Sequence, residues 1–262
     1  MTVYLCTCGT SAFKANKFDN QRLDAKWVSG QGSVDNAAER IYQSFAHVAF
    51  DDESAWSRDL SAELHSLARM GVNGKDSVIL YSSETPDGQA CARAVQRYLQ
   101  KQFPEIDCRV DVVEGLQVMD AARFRSVGVR TFIQKVLREI EGRGADNVCL
   151  NPTGGFKSLV PYTVLIGMIR RVKTRYIFEQ SSALIDLPSM PVDFAHSRLE
   201  PFLALLQRIE QESAISRAEW EEKVAYDMRR ELDALVEIDG NDVTLSSVGF
   251  LVLEELRRRY PG

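Results

Sequence analysis

The chain has 262 residues, 45% of them hydrophobic and 26% charged, with a formal net charge of −5 at pH 7. That composition supports one core of ordinary size with a small appendage, and the negative balance argues against broad, sequence-independent binding to long nucleic acid. No apolar run is long enough to cross a bilayer and the N-terminus lacks a basic region before an apolar core, so the expectation is a soluble, cytoplasmic protein without a membrane partner.

In chain order, Thr2 to Cys6 reads as a first strand, with Val3 and Leu5 at alternating positions, and it runs into Cys8-Gly9-Thr10-Ser11. The stretch Lys14 to Ser33, carrying Lys14, Lys17, Arg22 and Lys26, is irregular and polar and is a candidate lid. Helical patterns cover Val34 to Phe50 and Ser54 to Met70. A strand, Ser77 to Tyr81, then ends in Ser82-Ser83-Glu84-Thr85 and leads through Pro86-Asp87-Gly88 into a helix, Gln89 to Gln102. Asp107 to Val113 is a third strand, and Arg125 to Glu141 a helix closed by Gly142 and Gly144. The fourth strand, Asn147 to Leu150, precedes a helix over Phe156 to Arg171, a strand over Arg175 to Glu179, and a hairpin strand, Ala183 to Leu187, ending at Pro188. Strands alternating with helices imply an α/β domain over residues 1–190, its mostly parallel sheet covered by helices on both faces.

Beyond Pro201 the pattern becomes mostly helical, over Pro201 to Ser213, Arg217 to Val236 and Ser247 to Tyr260, which predicts a separate C-terminal domain over residues 201–262. The ending from Leu235 to Leu253 resembles the hairpin and closing helix of a winged-helix module. An N-cap at Ser246 or Ser247 accounts for the same residues equally well.

Asn151-Pro152-Thr153-Gly154-Gly155-Phe156-Lys157-Ser158 joins the fourth strand to its helix. A glycine-rich strand-to-helix turn suits an anion, because backbone N–H groups can approach it closely, the helix adds the positive end of its dipole, and Lys157 adds a full charge. The spacing is neither that of a P-loop nor G-x-G-x-x-G, and a plain tight turn with Lys157 reaching into water remains the other reading. In open parallel sheets ligands collect beyond the carboxyl ends of the strands. The first turn, with Gly9, Thr10 and Ser11, stands at such an end. So does the second strand's Ser82, Ser83 and Glu84, and so does the fourth strand's turn, with Asn151, Thr153, Gly154, Gly155, Phe156 and Lys157. These are the candidate ligand-binding residues, and a small phosphorylated ligand is the expected occupant. Cys6, Cys8, Cys91, Cys108 and Cys149 form no C-x-x-C pair and have no histidine companions, so no metal site or cofactor is expected. Cys8, beside the first turn, is read as packing ahead of nucleophile.

A Cys-Gly-Thr-Ser turn after the first strand, paired with an Asn-x-Thr-Gly-Gly-x-Lys turn after the fourth, resembles the CARF domains of type III CRISPR systems, and more narrowly the small CARF proteins that include the CRISPR ring nucleases. The resemblance covers about residues 1–190. It implies a Rossmann-like homodimer that binds cyclic oligoadenylate across its two-fold axis. It also places Lys157 on the ring's phosphates, and Ser11 on a ribose hydroxyl or a phosphate near the scissile bond. The implied chemistry is metal-independent: a ribose 2′-hydroxyl attacks its neighbouring phosphorus, leaving a 2′,3′-cyclic phosphate, with Lys157 and Ser11 as the catalytic residues. Neither turn carries a histidine, so weak general-base catalysis and slow turnover are expected.

Two other readings are carried. One is a sensor whose ligand state passes to an attached activity. Arg40 to His47 fits the R-x-x-x-x-x-x-H pattern of HEPN ribonucleases only formally, inside the α/β domain. The other is a regulator that binds DNA through the C-terminal region, where Lys223, Arg229 and Arg230 are interrupted by Glu221, Glu222, Asp227 and Glu231.

Overall fold

The computed structural model describes residues 1–13, 25–53, 60–178, 183–187 and 193–261. Its larger sheet contains β1 (Val3–Thr7), β2 (Ser77–Ser83), β3 (Asp107–Val113), β4 (Val148–Asn151), β5 (Lys173–Phe178) and β6 (Ala183–Leu187), in the order β3-β2-β1-β4-β5-β6. The pairings from β3 through to β5 are parallel, and β6 runs antiparallel to β5. The fold is α/β and Rossmann-like, as the alternation of elements predicts.

β1 is buried along its whole length, and its side chains divide between two cores. Tyr4 and Cys6 pack on one face beneath α1 (Val34–Phe45), α2 (Ala62–Met70) and α3 (Pro86–Gln102), while Val3 and Leu5 pack on the other beneath α4 (Val129–Arg143) and α5 (Val160–Arg170). Period-two alternation with both faces apolar is what a central parallel strand requires. The helices on the first face start at side-chain caps: Ser33 accepts from the Asn36 N–H, Ser61 from Leu64 and Thr85 from Gly88, with Pro86 in the first turn of α3.

Several boundaries differ from the sequence expectation. α1 stops at Phe45 rather than Phe50, although Val48 and Phe50 still pack against the first core. The helix expected from Arg125 begins as a short turn, Ala121–Arg123, passes through a π-helical segment, Phe124–Gly128, and becomes regular only in α4. A side chain on Gly128 would overlap the backbone of Gly115, so the end of the π-helical segment and the turn at Gly115 meet at closer than normal range. Of the candidate lid, residues 14–24 lie outside the described residues. Trp27, in the short helix Ala25–Ser29, packs edge-on against Phe13 at 6.0 Å, and Val28 is buried. Residues 54–59, the expected start of α2, lie outside the described residues as well.

The C-terminal part contains α6 (Leu203–Glu212), β7 (Ile215–Ser216), α7 (Arg217–Lys223), α8 (Tyr226–Leu232), β8 (Val236–Asp239), β9 (Asp242–Leu245) and α9 (Ser247–Arg259). Its strands form a second, antiparallel sheet in the order β7-β9-β8. A helix, a strand, two helices and a hairpin follow one another here, closed by one further helix. A third core, with Trp220 and Leu206 at its centre, belongs to this part. α9 serves two cores at once: Val252, Leu253 and Leu256 face the third, whereas Phe250 and Leu251 join the second, beneath the large sheet. Among the described residues no helix is long and apolar enough to cross a membrane.

Candidate functional site

The order of the large sheet reverses direction between β1 and β4, and a crevice opens at such a switch point beyond the carboxyl ends of the strands. The pairing of Cys6 with Asn151 brings the turns after β1 and β4 out of the sheet side by side. They touch through backbone. A Cβ added to Gly9 would stand 2.8 Å from both the Cα and the N of Gly155, closer than real Cβ atoms approach. Gly155 has φ +79°, a left-handed conformation that favours glycine. The Thr7 hydroxyl donates to the Gly154 carbonyl, which stitches the two turns together below that contact.

Two cavities share Gly155 as a common wall. One, of about 270 Å³, is lined by Gly9, Thr10, Ser83, Thr85, Asp87, Val118, Gly155 and Phe156. The other, of about 350 Å³, is lined by Pro152, Thr153, Gly155, Lys157, Val160, Pro161 and Tyr176. Lys157 is exposed, at the start of a 3₁₀ turn, Lys157–Leu159, that feeds α5. Among the described residues the N–H groups of Gly154, Gly155 and Phe156 find no acceptor within the chain, and α5 begins without a side-chain cap. Free donors in a turn that feeds a helix, with a lysine next in the chain, are the elements an anion cradle requires.

Several predicted residues are engaged within the protein, and of these Thr153, Ser83 and Phe156 also line the cavities. Asn151 is 1% exposed; its amide donates to Ser66 Oγ at 2.8 Å and its Oδ1 accepts from the Thr153 N–H at 3.3 Å, so its side chain shapes the turn from beneath. Thr153 accepts from the Ile177 N–H at 3.1 Å, tying the turn to β5. Ser82 is wholly buried and donates to the Ser83 carbonyl, while Ser83 pairs with the Thr85 hydroxyl at 2.7 Å. Glu84 is held by Arg123 and by the Gly115 N–H, and the Arg123 guanidinium keeps its carboxyl below the usual carboxylate range. Phe156 leans on Phe124 of the π-helical segment, with ring centres 5.6 Å apart.

Glu63, in the first turn of α2, is a site residue that the sequence reading did not single out. Its side chain is 1% exposed and stands at the junction of the two turns. Oε1 accepts the Gly9 N–H at 2.8 Å and Oε2 accepts the Ser11 hydroxyl at 2.6 Å. Any Cβ on Gly154 would overlap this carboxyl group, which explains a glycine there. Ser11 Oγ in turn accepts the Ala62 N–H at 3.0 Å.

A model of a CRISPR-associated protein family, Cas_APE2256, matches residues 58–190, which include Glu63, the β2 rim and the whole second turn. The chain belongs to this family. No curated protein matches it. The matched region holds the strands of the large sheet from β2 to β6.

The cysteines of this family member are packing residues. All five are buried. Burial pushes the Cys8 thiol well above its ordinary range and the Glu63 carboxylate adds to the effect; burial likewise raises Cys108 to about 12 and Cys149 to about 11. A thiolate is what reacts, so Ellman's reagent near neutral pH is expected to label none of the thiols of the folded protein within minutes and all of them in denaturant. One fast-reacting thiol in the native protein would contradict this. Among the described residues no group of three or more His, Cys, Asp and Glu stands ready to hold a metal ion. The β8–β9 hairpin carries Glu237, Asp239 and Asp242 and no lysine or arginine. Arg229 of α8 is committed to the Val224 and Glu221 carbonyls.

Proposed function

We propose that this protein is a cytoplasmic CRISPR-associated ring nuclease. In this reading a homodimer binds cyclic oligoadenylate, taken here as the cyclic tetramer, and opens the ring to linear products ending in 2′,3′-cyclic phosphate, which removes the signal of a type III system. The observation that carries the reading is the backbone contact between the Gly9 and Gly155 turns at the switch point, with Lys157 beside unpaired N–H donors. Family membership supports the CRISPR context.

The chain's own groups have defined tasks in this reaction. The N–H groups of Gly154 and Gly155 and the Lys157 ammonium hold the reacting phosphate and stabilise the charge that grows on its oxygens. Fixing that phosphate against a fixed ribose keeps the 2′-oxygen in line with the departing 5′-oxygen, and orientation of this kind supplies a large part of the rate. The 2′-O–P bond forms as the P–O5′ bond breaks. A two-fold ring matches two such cradles related by a two-fold axis.

The deciding experiment is incubation of the protein with labelled cyclic tetraadenylate in EDTA, with products separated by chromatography. Linear products with 2′,3′-cyclic phosphate ends, together with a solution mass twice the chain's 29.5 kDa, are expected. A ring that is neither bound nor cut would overturn the reading. A second reading, a sensor that passes occupancy to the C-terminal part, is favoured by a path of contacts: Phe156 leans on Phe124, and Ser247 at the start of α9 donates to the Arg125 carbonyl at 3.1 Å. Tight binding without cleavage would select it.

A further inference from the structure

Ser11 is held in one hydrogen-bonding sense. A serine hydroxyl has one proton to donate and two lone pairs with which to accept. The proton is directed to Glu63 Oε2 at 2.6 Å, and one lone pair takes the Ala62 N–H at 3.0 Å. One lone pair remains. A group that can only accept, such as a phosphate oxygen, gains nothing from it, whereas a group that can donate does. Glu63 is fixed against turning away, because Oε1 is engaged by the Gly9 N–H at 2.8 Å and the carboxyl group lies against Gly154. Burying a carboxylate to 1% exposure is unfavourable unless its oxygens are paired. Here the two partners belong to the first signature turn, and the glycine it abuts belongs to the second.

We propose that Glu63 is a positioning residue that makes Ser11 a hydrogen-bond acceptor for a ribose 2′-hydroxyl and receives the Ser11 proton when that hydroxyl attacks. The assignment rests on the ring-nuclease reading and supplies the proton acceptor that the turns themselves lack. The 2′-O–H proton passes to Ser11 Oγ while the Ser11 proton passes to Glu63 Oε2. The 2′-oxygen forms its bond to phosphorus, and the P–O5′ bond breaks. The electron pair leaves on O5′, which takes a proton from water, and Glu63 returns its own proton to water. The same geometry sets a specificity: the ligand needs ribose, not deoxyribose, where it meets Ser11.

The test compares the full-length wild type with Glu63→Gln, using cyclic tetraadenylate and its all-2′-deoxy counterpart. In the variant the amide oxygen still accepts from Gly9, but the amide NH₂ faces Ser11 Oγ and fills the lone pair reserved for the ribose. Wild type is expected to bind the ribose ring about tenfold more tightly than the deoxy ring, the worth of a good hydrogen bond. Glu63→Gln is expected to erase that preference while holding the deoxy ring as wild type does, and to lower single-turnover cleavage about 100-fold. A merely structural role would weaken both rings together. Should Glu63→Gln fail to fold, Ser11→Ala, which leaves Glu63 bonded to Gly9, is expected to lose the same ribose preference. Wild type binding both rings equally, or a folded Glu63→Gln that cuts within threefold of wild type, would overturn the Glu63 assignment alone. Wild type that binds neither ring would instead overturn the functional reading beneath it.

Discussion

Replacing Lys157 with alanine is expected to slow ring opening by about 10²- to 10³-fold, the usual consequence of removing one donor from a developing oxyanion. That range corresponds to about 3–4 kcal/mol of lost transition-state stabilisation. The ammonium group is exposed and sits beside the wall formed by Pro152, Thr153 and Gly155. Its removal is expected to leave the unfolding free energy within about 0.5 kcal/mol of wild type. Charge is the operative property, so Lys157→Arg is expected to return activity to within about tenfold of wild type, the remainder reflecting guanidinium shape. The plot of log affinity against log salt is also expected to flatten by about one in Lys157→Ala. Single-turnover cleavage and titrations at several salt concentrations read these quantities. Cleavage by Lys157→Ala within threefold of wild type would remove the cradle from the mechanism.

Much of the candidate site was legible as a place in the fold because it is written in local chemistry. Gly154-Gly155 after an apolar strand announces a backbone that must bend and approach something closely, and Cys8-Gly9-Thr10-Ser11 announces the same at the first strand end. Parallel alternation then places both turns on one rim. What the pattern could not reveal is how each polar side chain is used once the chain folds. Asn151 and Ser82 look as suited to a ligand as Thr10 does, yet both are buried and bonded within the protein, because both still lie within their strands rather than in the turns beyond them. Glu63 was invisible for the opposite reason. An acid two residues after Ser61, at a helix start, reads as an ordinary complement to the helix dipole. Only the fold, which lays α2 across the two turns, takes that carboxyl group out of water and gives it Gly9 and Ser11.

The C-terminal part follows the same rule. The run Val248-Gly249-Phe250-Leu251-Val252-Leu253 is apolar on every side of a helix, a pattern that means burial all round. Its two faces serve different cores, one on the large sheet and one in the C-terminal part. The buried pair of Arg170 with Glu255 adds a tie between α5 and α9 that no sequence period announces. The second signature turn feeds α5, so the helix that follows the candidate site ends against the C-terminal helix.

Alanine at Gly155 is expected to reduce stability by about 2–5 kcal/mol, combining about 1–2 kcal/mol for a left-handed backbone with about 1–3 kcal/mol for overpacking. The added methyl would lie 3.2 Å from Thr7 Cβ and 3.3 Å from the Cys8 backbone. Two further variants separate the causes. Gly71 has a similar φ, +77°, and a methyl added there would meet nothing within 4 Å, so Gly71→Ala is expected to cost only the backbone strain. Gly9 carries no positive φ, but its methyl would meet two backbone atoms of Gly155 that cannot rotate aside, so Gly9→Ala is expected to cost only the overpacking. Because both site variants push the same two turns apart, their costs are expected to be less than additive in the double variant, whereas either combined with Gly71→Ala is expected to add. Denaturant unfolding of the singles and doubles measures this. Each site variant is also expected to lose ring binding in proportion to its overpacking cost, since the turns on β1 and β4 form one cradle only while they touch. Full ring binding by a folded Gly9→Ala would mean that the ligand is held by one turn alone.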